Sequence, residues 1–86
     1  MTVKKEFCVR RVVGETLLVP CGATLLSFNG LIALNELSAF LWERLPDAAD
    51  EEALLQAVLD EYDVDKATAR ADIAAFLGEL RQNEII

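Results

Sequence analysis

The chain has no histidine, and only two cysteines, two prolines and four glycines. Without histidine, Cys–His and Ser–His–Asp nucleophilic chemistry has no base to work with. Two thiols are too few ligands for a zinc site. Glycines 14, 22, 30 and 78 form no phosphate-cradling spacing. Apolar runs are a few residues long, far short of the roughly 20 that a membrane helix needs. Met1-Thr2-Val3-Lys4-Lys5-Glu6 has no apolar stretch behind its lysines and does not read as a secretory signal. The expectation is a cytoplasmic protein with reduced thiols, no metal and no cofactor. Basic residues are scarce too: 8 Lys+Arg stand against 15 Asp+Glu, a net charge of −7. Residues 1–45 carry five basic and four acidic side chains, and residues 46–86 carry three and eleven. Such a C-terminal half repels phosphate, so neither nucleic acid nor an anionic membrane is an expected partner.

What is present is enough for one core. With 53% hydrophobic residues in 86, the chain reads as one domain over residues 1–86, of the marginal stability usual at this size. The first third has strand character. Phe7 to Val13 and Thr16 to Val19 are rich in β-formers, and Gly14-Glu15 between them suits a tight hairpin. With that pair as the loop, Cys8 falls opposite Cys21, where a cross-strand disulfide is geometrically conceivable. Pro20 ends the second strand. Residues 21–29 read as a loop, with Gly22 and Asn29-Gly30 as punctuation. Leu31-Ile32-Ala33-Leu34 is a short third strand.

The period then changes to helical. Asn35 caps a helix whose apolar positions are Leu37, Phe40, Leu41 and Leu45, and Pro46 stops it. A second helix starts within 47–50 and presents Leu54, Leu55, Val58, Leu59 and Tyr62. After a break at Asp63-Val64, Asp65 caps a third helix running to about Gln82, with Ala69, Ile73, Phe76, Leu77 and Leu80 on its core face. The tail 83–86 is extended or turn-like. The fold class expected is α+β: a three-stranded antiparallel sheet followed by three α-helices, packed on one face of it. The short link between helices two and three is of the helix-turn-helix type.

Acidic clusters carry little chemistry. The run 60–65 lacks the ligand spacing of a calcium loop: counted from Asp60, loop positions 3 and 12 are Tyr62 and Ala71. Asp47, Asp50, Glu51 and Glu52 are what a helix N-terminus attracts. The third strand is more informative. At a sheet edge its unpaired N–H and C=O groups would accept an extended peptide as another strand. Candidate edge residues are Leu31, Ile32, Ala33, Leu34 and Asn35. The third helix carries a stripe of small residues, Ala67, Ala71, Ala74 and Gly78 with Ala75 beside it, which would leave a shallow groove beside Leu77. Arg70 and Arg81 flank the stripe and would pair with acidic ligand residues. Equally, the alanines serve helix propensity and the arginines are solvated charges.

Three segments, Arg11-Val12-Val13-Gly14-Glu15-Thr16-Leu17-Leu18-Val19-Pro20, Phe28-Asn29-Gly30-Leu31-Ile32-Ala33-Leu34-Asn35 and Ala39-Phe40-Leu41-Trp42-Glu43, together with Glu61-Tyr62-Asp63-Val64-Asp65 and Phe76-Leu77-Gly78-Glu79-Leu80, resemble the coenzyme PQQ synthesis protein D (PqqD) family. The resemblance runs from about Phe7 to Ile86. It implies a winged helix-turn-helix-like fold and a non-catalytic carrier. Such a carrier binds the leader of a ribosomally made precursor peptide by strand addition beside strand three. It presents the leader to a modifying enzyme of the radical S-adenosylmethionine type, in PQQ or related peptide natural-product biosynthesis. Mapped here, the peptide site is Leu31 to Asn35 with the wall from Arg70 to Arg81, including Ala71, Ala74, Leu77 and Gly78. The 21–29 loop, with Leu25, Leu26 and Phe28, would cover that groove, contact the enzyme or form a homodimer interface. The competing reading is a winged-helix DNA-binding regulator. Against it, Lys66, Arg70 and Arg81 are balanced by Asp65, Asp72 and Glu79 on helix three.

Overall fold

A computed structural model describes residues 1–26 and 30–86. Residues 27–29 and the Leu26 side chain lie outside what is described, and so do the expectations for Phe28, Leu26 and the Asn29-Gly30 turn. Strand β1 (Phe7–Val12) and strand β2 (Glu15–Pro20) form a hairpin, a short 3-10 helix (Gly22–Leu26) follows, and strand β3 (Ile32–Leu34) returns beside β2. Three helices complete the chain: α1 (Glu36–Arg44), α2 (Glu51–Glu61) and α3 (Lys66–Gln82). The sheet is antiparallel in the order β1-β2-β3. This is the expected α+β architecture. No helix of the described residues is long and apolar enough to cross a membrane.

The hairpin corrects one expectation. Its loop is Val13-Gly14, and Cys8 faces Val19 rather than Cys21. Proline explains the choice. Antiparallel pairs alternate between hydrogen-bonded and non-hydrogen-bonded. The Cys21 N–H donates to the Glu6 carbonyl at 3.1 Å, so the next pair, Phe7 with Pro20, is a non-hydrogen-bonded one. A Gly14-Glu15 loop would instead set Pro20 at a hydrogen-bonded position, where its missing N–H breaks the ladder. The chosen loop has positive φ at both residues, 43° at Val13 and 78° at Gly14, as a tight primed turn requires. Glycine accepts this readily. Val13 does not, because a β-branched side chain in the left-handed region crowds its own backbone.

Asn35 and Asp65 cap their helices as the sequence places them, and Asp50, within the expected 47–50 start, caps α2. The side chain of Asn35 accepts from the Ser38 N–H (2.8 Å), Asp50 from Ala53 (2.9 Å) and Asp65 from Thr68 (3.2 Å). Each satisfies one of the orphan donors at a helix start, a contribution of about 1 kcal/mol. Pro46 ends α1 by converting its last turn to a 3-10 turn, Leu45–Asp47. At the other end of the molecule, Glu84 adopts φ 58°. The Ile85 N–H reaches the Leu80 carbonyl (2.8 Å) and Glu84 N–H that of Arg81 (3.0 Å). This left-handed helix ending turns Ile85 into the core, where it is fully buried. The Lys4 N–H then donates to the Ile85 carbonyl, tying the N-terminal arm to the C-terminus.

Among the described residues, the helices cover one face of the sheet. Leu18, Ile32 and Leu34 point inward onto Leu41, Leu45, Leu54, Val58, Ile73, Leu77 and Leu80. Burying each fully enclosed leucine contributes roughly 2 kcal/mol. Phe7 and Trp42 meet edge to face at 6.3 Å between ring centroids and join β1 to α1. Cys8, Leu17, Val19 and Ala33 lie on the opposite face.

The strained turn yields a stability prediction. Val13 is 97% exposed. Val13→Asn therefore relieves the left-handed strain without loss of contacts, and should raise the unfolding free energy by about 1 kcal/mol in urea titration.

A free strand edge beside helix α3

Among the described residues, strand β3 pairs with β2 alone. Its register is Thr16 with Leu34, Leu17 with Ala33 and Leu18 with Ile32. Because hydrogen-bonding direction alternates along each strand, Thr16 and Leu18 spend their backbone groups on β3, and Ile32 and Leu34 answer them. Ala33 therefore aims its N–H and C=O away from the sheet. Ile32 and Leu34 are 8% and 7% exposed, with side chains in the core. Leu31, immediately before the strand, is 58% exposed.

A groove of about 320 Å³ runs along this edge, between β3 and the start of α1 on one side and α3 on the other. Ala33, Asn35 and Ser38 form one wall, and Asp72, Ala75, Phe76 and Glu79 form the other. The helix residues recur at i, i+3, i+4 and i+7, one continuous face. Its floor is apolar (Phe76) and its rim carries two carboxylates. Asn35 is held in place because its side chain is already engaged as the α1 cap.

The helix wall expected from the sequence is displaced. Ala71, Ala74 and Gly78 are exposed, on a row about a third of a turn round α3 from the groove. Leu77 is fully buried and belongs to the core. Arg81 lies beyond the stripe, and Arg70 pairs with Glu52 of α2. That partner raises the Arg70 pKa, first through the hydrogen bond and then through its charge. The groove's own charges are Asp72 and Glu79, opposite in sign to the two arginines. Asp72, Ala75, Phe76 and Glu79 line the groove; they fall within the expected Arg70 to Arg81 wall but are not among the residues singled out in it. Ala75 is adjacent to the small stripe in sequence, but no spacing rule separates a groove row from a solvent row when both border the same core face.

A second, wider depression of about 880 Å³ lies on the far side of Asn35, beneath the hairpin end. Phe40 and Tyr62 form its aromatic wall, ring centroids 5.3 Å apart and edge to face, and the Arg44 guanidinium sits 4.7 Å over the Phe40 ring. Burial, followed by the charges of Glu36 and Glu61, raises the Tyr62 phenol above its ordinary value, and Arg44 opposes this.

The family model for coenzyme PQQ synthesis protein D (PqqD) matches residues 22–86. The chain belongs to the PqqD family. Among solved structures, TbiB1 in complex with the TbiA(beta) leader peptide has a TM-score of 0.73 at 22% identity, over 99% of this chain and 93% of that one. A lasso peptide synthetase B1 complexed with the leader peptide has a TM-score of 0.69 at 26% identity, over 95% and 91%. No curated protein sequence matches the chain. Both structural likenesses extend over the β1–β2 hairpin, which precedes the residues matched by the PqqD model, so the whole sheet is shared.

Tyr62 is the one tyrosine, so its ionisation can be followed directly by ultraviolet absorption. Its midpoint should lie above that of free tyrosine, and Glu36→Gln should bring it part of the way back. A phenol raised in the folded state contributes stability that is complete below its unfolded pKa and is lost as pH climbs through the folded value. A midpoint at or below that of free tyrosine would contradict the half-buried placement beside Glu36 and Glu61.

Proposed function

We propose that residues 1–86 form a single peptide-recognition domain, a non-catalytic carrier for the leader of a ribosomally made precursor peptide. The leader adds to β3 as a fourth strand. The carrier then presents the precursor to a modifying enzyme, of the radical S-adenosylmethionine type, in PQQ or related peptide natural-product biosynthesis. The observation that carries this reading is the outward-facing Ala33 backbone beside the Phe76 groove, on a fold similar to two proteins solved with leader peptides. Main-chain hydrogen bonds supply affinity, and side chains at alternate positions of the added strand reach the groove. Holding the precursor raises its effective concentration at the enzyme, and the carrier itself makes and breaks no bond.

The groove also sets a preference. With Asp72 and Glu79 on its rim, it favours a strand bearing basic side chains over an acidic one. A DNA-reading role gains nothing from α3, whose Arg70 is committed to Glu52 and whose charges cancel with the Asp65 cap included.

Two variants separate backbone from side-chain recognition. The Ala33 N–H serves no ladder bond, so Ala33→Pro should leave the fold intact while weakening a precursor peptide encoded beside this gene by at least about tenfold, or 1.4 kcal/mol. Nitrogen-15 shifts on titration should cluster on Ala33, Asn35, Ala75 and Glu79. Peptide binding unchanged by Ala33→Pro in a folded protein would eliminate strand addition. Asp72→Asn combined with Glu79→Gln should flatten the salt dependence of binding for a lysine-bearing peptide, as read by calorimetry at two ionic strengths. An unaltered salt response would remove the rim carboxylates from the site.

A further inference from the structure

Neither Cys8 nor Cys21 lines the groove beside β3, yet the hairpin brings the two thiols together. Cys8 faces Val19, and Cys21 lies two residues further along the same strand direction, so both side chains share the face of the sheet that no helix covers. The Cys21 N–H to Glu6 carbonyl bond (3.1 Å) continues the ladder past the end of β2, and this holds Cys21 as the diagonal neighbour of Cys8. Both cysteines are free and half-exposed, so a small reagent can reach them. Cys21 is also the last residue before the 3-10 helix, and closing a bridge from this diagonal draws its backbone a short way toward Cys8.

We infer that Cys8 and Cys21 form a redox-active dithiol, which a glutathione-type disulfide converts into a cross-strand disulfide. The Cys8 thiolate attacks one sulfur of glutathione disulfide, forms a mixed disulfide and releases one glutathione thiolate. The Cys21 thiolate then attacks the Cys8 sulfur, forms the protein disulfide and releases the second glutathione. Two S–H bonds are lost and one S–S bond is gained. Glutathione disulfide takes up the two electrons, and the two protons end on the two glutathiones.

The local chemistry sets the order of attack. A hydrogen bond with the Cys8 thiol, reinforced by burial and by the charges of Cys8 and Glu6 against that of Arg10, holds the Cys21 thiol up at about 11. Cys21 therefore stays protonated at neutral pH and does not lead. Capping Cys8 as a mixed disulfide removes both its hydrogen bond and its charge, and this frees Cys21 to ionise and resolve the intermediate. The finished bridge would clamp β1 to the start of the connection that leads into β3. It would firm up the sheet whose far edge is free.

The test is a redox titration of the intact chain in mixtures of reduced and oxidised glutathione, quenched with N-ethylmaleimide and read by intact mass. The expected product is a monomer lighter by two hydrogens that takes up no maleimide. It should have a thermal midpoint higher by about 5 °C, reversed by dithiothreitol. Cys21→Ser and Cys8→Ser should each stop at a single glutathione adduct, since neither leaves a second thiol to resolve it. Both variants should match the wild-type circular dichroism under reducing conditions. A chain that remains doubly alkylated in excess oxidised glutathione, that collects two glutathiones, or that yields only disulfide-linked dimers would overturn the inference.

Discussion

A three-stranded sheet in a chain of this size can bury only one of its faces, and that constraint organises the molecule. Leu18, Ile32 and Leu34 turn inward, and the three helices exist in their observed order to cover them. Because α1 follows β3 after a single capping residue, the covering helices start directly from the edge strand. The edge is therefore pinned from its inner face while its outer hydrogen-bonding groups stay open. An ordinary protein would shield such an edge with a charge, a bulge or a proline. Here the only nearby shield among the described residues is α3, which stands off far enough to leave a groove.

Prolines and left-handed residues do the positioning. Pro20 selects between two hairpin registers by refusing a hydrogen-bonded site. Val13 takes up the strain of the turn that results. Glu84 bends the chain end so that Ile85 closes the core under α3. The cost of these two strained residues is modest against the burial they permit, since each left-handed non-glycine costs about 1–2 kcal/mol. Placing such strain at the surface leaves the groove wall a regular helix, whose residues hold their spacing without adjustment.

The sequence is legible in proportion to how local each decision is. Caps at Asn35 and Asp65 depend on three or four neighbouring residues and are read correctly from spacing, whereas the start of α2 is read only to within residues 47–50, and the structure places its cap at Asp50. The core rows of α2 and α3 follow from the helical period. The hairpin loop misleads by one residue because Gly14-Glu15 and Val13-Gly14 are both acceptable locally. The decision rests on Pro20, several residues away, and on ladder parity. The core assignment survives because the two registers differ by two positions, which leaves every side chain on the same face. The groove wall misleads for a different reason. Small residues and flanking arginines mark the solvent row of α3, whereas the row that meets β3 mixes acidic, small and aromatic residues and has no compositional signature.

By itself, then, the sequence determined the element order, the caps, the apolar rows and, through residues spread along its length, the resemblance to the PqqD family. These follow from periodicity and short-range hydrogen bonding, which a linear reading contains. The tertiary structure alone decided which way α3 is rolled against β3, and hence that Asp72 and Glu79 rather than Arg70 and Arg81 border the free edge. It also decided that Cys8 and Cys21 meet across a diagonal. Both depend on the packing of elements far apart in the chain. Rotation of a helix about its axis is set by how its whole core face fits its neighbours, and no single residue along the sequence reports it.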